Sequence, residues 1–123
     1  MKIVFIDDDK GFEELIGRFL AFKGYKDVSF VYTSQEGREY IEKNKPDLAF
    51  LDINMESNTS GLDTLAWGRK NCPDTRYVMC SAYREDFRDL AMKSGADGFL
   101  CKPTRPDDLL RTIASFEKQG SGS

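Results

Sequence analysis

Leu48-Ala49-Phe50-Leu51-Asp52 sets four apolar side chains in succession and closes them with a carboxylate. A strand with one wet face alternates apolar and polar residues; one that is apolar throughout is buried on both faces, as in a parallel sheet covered by helices. The same shape recurs on either side of this segment. Ile3-Val4-Phe5-Ile6 ends in Asp7-Asp8, Tyr77-Val78-Met79-Cys80 ends in Ser81, and Phe99-Leu100-Cys101 ends in Lys102-Pro103. Open parallel sheets bind ligands in the crevice beyond the carboxyl ends of their strands. Parallel pairing therefore gathers three carboxylates, one hydroxyl and one ammonium at a single mouth, a set suited to a divalent cation and a phosphoryl group on a carboxylate.

The segments between these runs have helical spacing. After Asp9, apolar residues fall at Phe12, Leu15, Ile16, Phe19 and Leu20, and Gly24 closes the helix. Val28–Tyr32 reads as a further strand. Thr33-x-x-Glu36 resembles a capping box opening a helix that Pro46 stops. Ser60-x-x-Asp63 is a weaker cap for a helix expected to bury Leu62, Leu65 and Ala66, closed at Cys72-Pro73. Another helix carries Phe87, Leu90 and Ala91 as far as Gly95, and Pro106 suits the first position of a last helix using Leu109, Leu110, Ile113 and Phe116. The fold expected is α/β: a doubly wound, five-stranded parallel sheet in (βα)5 order. Residues 1–118 form the domain, and 119–123, ending Gly120-Ser121-Gly122-Ser123, read as a flexible Gly/Ser tail or cloning scar.

At 123 residues the chain is one domain, long enough to bury a core without staples. Its net charge of −3 gives no electrostatic case for direct nucleic-acid contact. No apolar run approaches the roughly 20 residues of a membrane span, and no signal-peptide pattern is visible. Cytoplasmic residence follows as the expectation. Cys72, Cys80 and Cys101 are expected to stay reduced and pack as small hydrophobes, the last two inside core strands. There is no histidine, which removes every Ser–His or Cys–His hydrolase mechanism.

Adjacent carboxylates at a strand end repel unless a cation compensates. Mg²⁺ takes one or two carboxylates together with waters and phosphate oxygens, which suits Asp7 and Asp8. Asp52 can serve as both ligand and nucleophile, since aspartate forms acyl phosphates. Lys102 supplies positive charge and Ser81 a hydroxyl, and phosphoryl transfer asks for little beyond positioning and charge neutralisation.

Ile6-Asp7-Asp8-Asp9, Leu51-Asp52-Ile53-Asn54-Met55, Ser81-Ala82, Gly95-Ala96-Asp97-Gly98-Phe99 and Lys102-Pro103, in this order and at strand ends, resemble the receiver domain of two-component response regulators over residues 1–118. The resemblance implies a flavodoxin-like strand order 2-1-3-4-5. It implies that Asp52 accepts a phosphoryl group from a phosphohistidine on a histidine kinase or histidine phosphotransfer protein. Mg²⁺ (or Mn²⁺) would be held by Asp7, Asp8, Asp52 and the backbone carbonyl of Asn54, Asp8 more directly than Asp7. Lys102, expected before a cis proline, would pair with the phosphoryl group. Ser81 would turn toward it, and Phe99 would move inward into the space this opens, changing the face that partners read. Such a domain is a signalling switch and no metabolic enzyme; its only catalysis is its own phosphorylation and slow dephosphorylation. Its partners would include a downstream protein target or an output domain outside this sequence, and the resemblance also allows a phosphorylation-dependent homodimer. Met1 leading straight into a strand suggests a receiver at the N-terminus of its parent.

The segment after Asp52 departs from the family pattern. Glu56 stands where proline is usual, and Gly61 follows Asp52 by nine residues where eight is usual. A more mobile loop over residues 56–60 with altered Mg²⁺ affinity is expected, with Glu56 near the cation or Lys102. Tyr83 is bulky at a position that overhangs the phosphoryl group, where it would impede attacking water. Two other readings compete. A haloacid-dehalogenase-like phosphatase shares the Asp, Ser and Lys, but needs a second Asp where Asn54 stands. A phosphorylation-independent interaction module would have no use for the intact acidic set.

Overall fold

The computed structural model describes residues 1–53, 55, 60–82 and 84–121, with residues 84–86 and 118–121 described by backbone alone. Strands and helices alternate throughout: β1 (Ile3–Ile6), α1 (Lys10–Phe22), β2 (Val28–Val31), α2 (Ser34–Asn44), β3 (Leu48–Asp52), α3 (Ser60–Asn71), β4 (Arg76–Ser81), α4 (Arg84–Lys93), β5 (Gly98–Cys101) and α5 (Pro106–Ser121). The sheet is five-stranded in the order β2-β1-β3-β4-β5, and every pairing is parallel. Doubly wound topology and strand order are both as the sequence led us to expect.

Successive side chains of a strand point to opposite faces, so each central strand feeds two cores. Val4, Ile6, Ala49, Leu51, Tyr77 and Met79 face one side, where Ile41 of α2, Leu65 of α3 and Ala91 of α4 cover them. Ile3, Phe5, Leu48, Phe50, Val78 and Cys80 face the other, under Ile16 and Leu20 of α1 and Leu109, Ile113 and Phe116 of α5. Register aligns Phe30, Phe5 and Phe50 across β2, β1 and β3. Their rings stack at 5.1 and 4.6 Å between centroids, and Phe12 of α1 meets Phe5 edge-on at 5.7 Å. Such pairs contribute roughly 0.5–1.5 kcal/mol each beyond their buried area.

The helix starts are set locally. The Asp9 carboxylate caps α1 by accepting from the backbone N–H groups of Gly11 and Phe12, and the Thr33 hydroxyl accepts from Glu36 N–H at the start of α2. Gly24, at φ +97°, turns the chain after α1, and α2 ends at Lys45, which is itself left-handed at φ 50°.

Several face assignments differ from expectation. Leu15 is 65% exposed, because α1 turns Phe12, Ile16, Phe19 and Leu20 toward the sheet and leaves Leu15 outside that stripe. Leu90 is also exposed. On α3 the buried stripe is Ser60, Gly61, Thr64, Leu65 and Gly68, and Ala66 faces solvent. Ser60 is the first helical residue of α3. The smallness of that stripe brings the helix axis close to the sheet. Cys101 is exposed at the end of an edge strand, whereas Cys72, outside any strand, is buried. Tyr32 lies beyond β2. Helix α5 continues through Ser121, into the stretch read as a tail. An established helix gains a hydrogen bond with each added residue, and one glycine costs only about 1 kcal/mol. No helix among the described residues is long and apolar enough to cross a membrane.

Candidate phosphoacceptor site

Asp7 follows β1, Asp52 ends β3, Ser81 ends β4 and Lys102 follows β5, so the parallel order delivers all four to the C-terminal edge of the sheet. Asp7, Asp8 and Asp52 each offer a carboxylate oxygen, and the three oxygens lie within 4.8 Å of one another. Lys102 Nζ donates to Asp7 Oδ2 at 2.7 Å and to Asp52 Oδ2 at 3.1 Å. Burial pulls the Lys102 pKa down. The hydrogen bond and charge of Asp7, joined by those of Asp52, outweigh that pull and leave it above the ordinary lysine value. The ammonium is thus locked in its charged form between two largely buried carboxylates.

The carboxylates are not equivalent. Asp7 is engaged on both oxygens: Oδ1 accepts from Asp9 N–H at 2.9 Å while Oδ2 takes Lys102. Asp52 is buried and Asp8 is exposed. A hard, oxygen-only donor set of this kind matches what Mg²⁺ or Mn²⁺ takes, and Asp8 has the freest approach for a cation.

Local backbone contacts hold the end of β3 in place. Ile53 N–H donates to Cys80 O of β4 at 3.0 Å, and Ile53 O accepts from Gly61 N–H of α3 at 3.0 Å. A β-carbon on Gly61 would fall 2.4 Å from the Asp52 carbonyl oxygen, so only glycine lets α3 start this close to Asp52. Its place in the spacing was visible from sequence, but the contact that demands glycine was not. Lys102 N–H donates to Ser81 O at 2.8 Å, joining the ends of β4 and β5, and the Lys102–Pro103 peptide is cis as expected.

Ser81 is fully buried. Register pairs it with Cys101 and pairs Met79 with Phe99, so Ser81 and Phe99 share one face of the sheet. Phe99 is half-buried against the core cluster beneath α2, α3 and α4. The rim carries a group that the sequence did not single out. Tyr32 donates to Glu13, and the Lys10 ammonium lies 4.9 Å over its ring. Asn54, Glu56 and Tyr83, singled out from sequence, lie outside the described residues, as do the remaining positions up to Thr59.

The family profile described as Response regulator receiver domain matches residues 3–114. The chain belongs to that family, the receivers of two-component systems. It is 32% identical over 122 residues to the transcriptional regulatory protein DltR of Streptococcus agalactiae, covering 98% of this chain and 54% of that protein. The chain likewise spans about half the length of the Haemophilus influenzae nitrate/nitrite response regulator homologue, at 35% identity over 92% of this chain. The chemotaxis protein CheY of Thermotoga maritima is 30% identical and is matched along 98% of its length. Among solved structures, a CheY-like receiver domain protein from Methanospirillum hungatei superposes with a TM-score of 0.87 at 28% identity, covering 99% of this chain and 98% of that one.

Proposed function

We propose that this receiver is a phosphorylatable switch of a two-component phosphorelay, with Asp52 as phosphoacceptor. The observation that carries this reading is the bridge from Lys102 to Asp7 and Asp52 beside a three-carboxylate cluster. A carboxylate oxygen of Asp52 attacks the phosphorus of a phosphohistidine on a histidine kinase or phosphotransfer protein. The O–P bond forms, the N–P bond breaks, and the leaving imidazole takes up a proton. Asp8, Asp52 and Asp7, with the Asn54 carbonyl, are the residues that would hold Mg²⁺ or Mn²⁺, which when bound neutralises charge on the phosphoryl oxygens. Lys102, already charged and aimed at Asp52, neutralises more of it and orients the acyl phosphate.

Ser81 and Phe99 then relay the change. The hydroxyl turns toward the new phosphoryl group, and Phe99, on the same face two residues down the register, moves into the space released. The altered surface is read by a downstream protein or an output domain, or by a second copy of the chain. Glu56 and Tyr83 tune metal affinity and phosphoryl lifetime. Three free cysteines suit the reducing cytoplasm.

Intact-mass analysis after incubation with Mg²⁺ and acetyl phosphate tests this reading. A phosphoryl adduct is expected on the native chain, and none on Asp52→Asn or without divalent cation. If the native chain stays unlabelled where a second receiver labels, the domain works by binding alone.

A further inference from the structure

Far from the phosphoacceptor, at the opposite edge of the sheet, Lys45 Nζ lies 3.7 Å from Cys72 Sγ. The two residues end neighbouring helices: Lys45 caps the C-terminus of α2 and Cys72 follows the last residue of α3. Both line a cleft of about 250 Å³ with Pro46, Asn71, Pro73 and Thr75. The thiol is therefore buried at 5% exposure yet borders an open cleft that admits a small oxidant. Lys45 sits at φ 50°, where glycine is the usual residue, and its side chain is nevertheless laid against the sulfur.

We infer that Lys45 and Cys72 form a redox-activated covalent couple, in which a hydroperoxide oxidises the thiol and the lysine amine captures the product as a sulfenamide. In the first step the sulfur attacks one peroxide oxygen and the O–O bond breaks. Cysteine becomes sulfenic acid, a two-electron oxidation, and the peroxide is reduced to water or an alcohol, which carries away the thiol proton. In the second step Lys45 gives its ammonium proton to water, and the neutral amine attacks that sulfur. The N–S bond forms, the S–O bond breaks, and hydroxide leaves as water with the amine proton, with no further net oxidation. The bridge ties the end of α2 to the end of α3, and a thiol reductant opens it.

The test treats the chain, in a Cys101→Ser background that removes the exposed thiol, with hydrogen peroxide under native conditions, followed by intact mass and peptide mapping. The expected product has lost two hydrogen atoms, joins the peptides containing Lys45 and Cys72, and reverts with dithiothreitol. Lys45→Arg keeps the positive charge but lacks a capturing amine, and should lose the cross-link while Cys72 proceeds to sulfinic acid. Cys72 found as sulfinic acid in the native-lysine chain, with Lys45 unlinked, would overturn the inference. So would a dithiothreitol-reversible product formed equally well by Lys45→Arg, which would place the bond on a backbone nitrogen.

Discussion

Lys102 concentrates the electrostatics of the site in one side chain. It meets Asp7 and Asp52 at 2.7 and 3.1 Å while being three-quarters buried itself. Removing one partner of such a set leaves the others uncompensated, which typically costs about 3–5 kcal/mol. Lys102→Met is therefore expected to lower stability by about 3 kcal/mol without divalent cation, read from denaturant midpoints. Added Mg²⁺ should restore part of that loss. Equal midpoints with and without Mg²⁺ would speak against a cation among these carboxylates. Gly61 is the second decisive residue. A methyl group there meets the Asp52 carbonyl at 2.4 Å, and backbone cannot swing aside as a side-chain tip can. Overpacking of this kind costs about 1–3 kcal/mol. Gly61→Ala should lose that much stability and should also slow acetyl phosphate labelling, because the strain falls on the peptide of Asp52, the proposed phosphoacceptor.

Helix α3 owes its place to what it lacks. Gly61 and Gly68 lie two turns apart on its buried stripe, and the second packs against Tyr77 of β4, whose ring atoms would stand 2.5 Å from an added β-carbon. The Tyr77 hydroxyl in turn donates to Cys72 O at 2.9 Å, fixing the end of the same helix. Arg69 fastens α3 further. It donates to Thr75 O at 2.6 Å, pairs with Asp97 at 3.4 Å, and lies 4.9 Å over the Tyr77 ring. Asp97 also accepts from Tyr77 N–H, so the start of β4 and the turn before β5 share this anchor. Gly68 and Tyr77 should be energetically coupled. In a double-mutant cycle, Gly68→Ala is expected to destabilise the native background by about 1–3 kcal/mol and the Tyr77→Val background far less. Simple additivity would mean that the helix moves away at no cost.

Tyr77 and Cys80 also shape how the whole molecule responds to alkali. Burial holds the Tyr77 hydroxyl protonated up to about 12, from 10.0, and the Cys80 thiol up to about 12, from 9.0. Both groups are neutral when protonated, so between the unfolded and folded values the unfolded chain has fewer protons bound than the native one. Stability must then fall with rising pH. Unfolding midpoints should be unaffected by these groups at neutral pH, begin to drop above about pH 9 through Cys80, and drop further above about pH 10 through Tyr77. Each group that stays protonated only in the native chain removes about 1.4 kcal/mol of stability for every pH unit climbed in that window. Tyr77→Phe keeps the ring and should flatten the second phase; an unchanged alkaline profile would assign the loss elsewhere.

The alternation of strands and helices, the parallel sheet and the candidate residues were all legible in the chain, because each depends on neighbours in sequence. Asp9 and Thr33 cap helices a turn away, and apolar runs such as Leu48–Leu51 state their own double burial. Strand order came from the likeness of five short motifs to a known family, since periodicity carries no information about which strand lies beside which. Leu15 and Ala66 depart from expectation for the same reason. A helical pattern fixes an apolar face only to within a turn, and the sheet selects the stripe that touches it. What the sequence alone determined is thus a list of chemically suited side chains at the ends of buried strands. That Lys102 lies between two carboxylates 50 and 95 residues distant, that Gly61 touches the carbonyl of Asp52, and that Lys45 rests against Cys72 were decided only by tertiary structure. Contacts of a few ångströms depend on strand order and on the distance between helix and sheet, and both are properties of the packed whole.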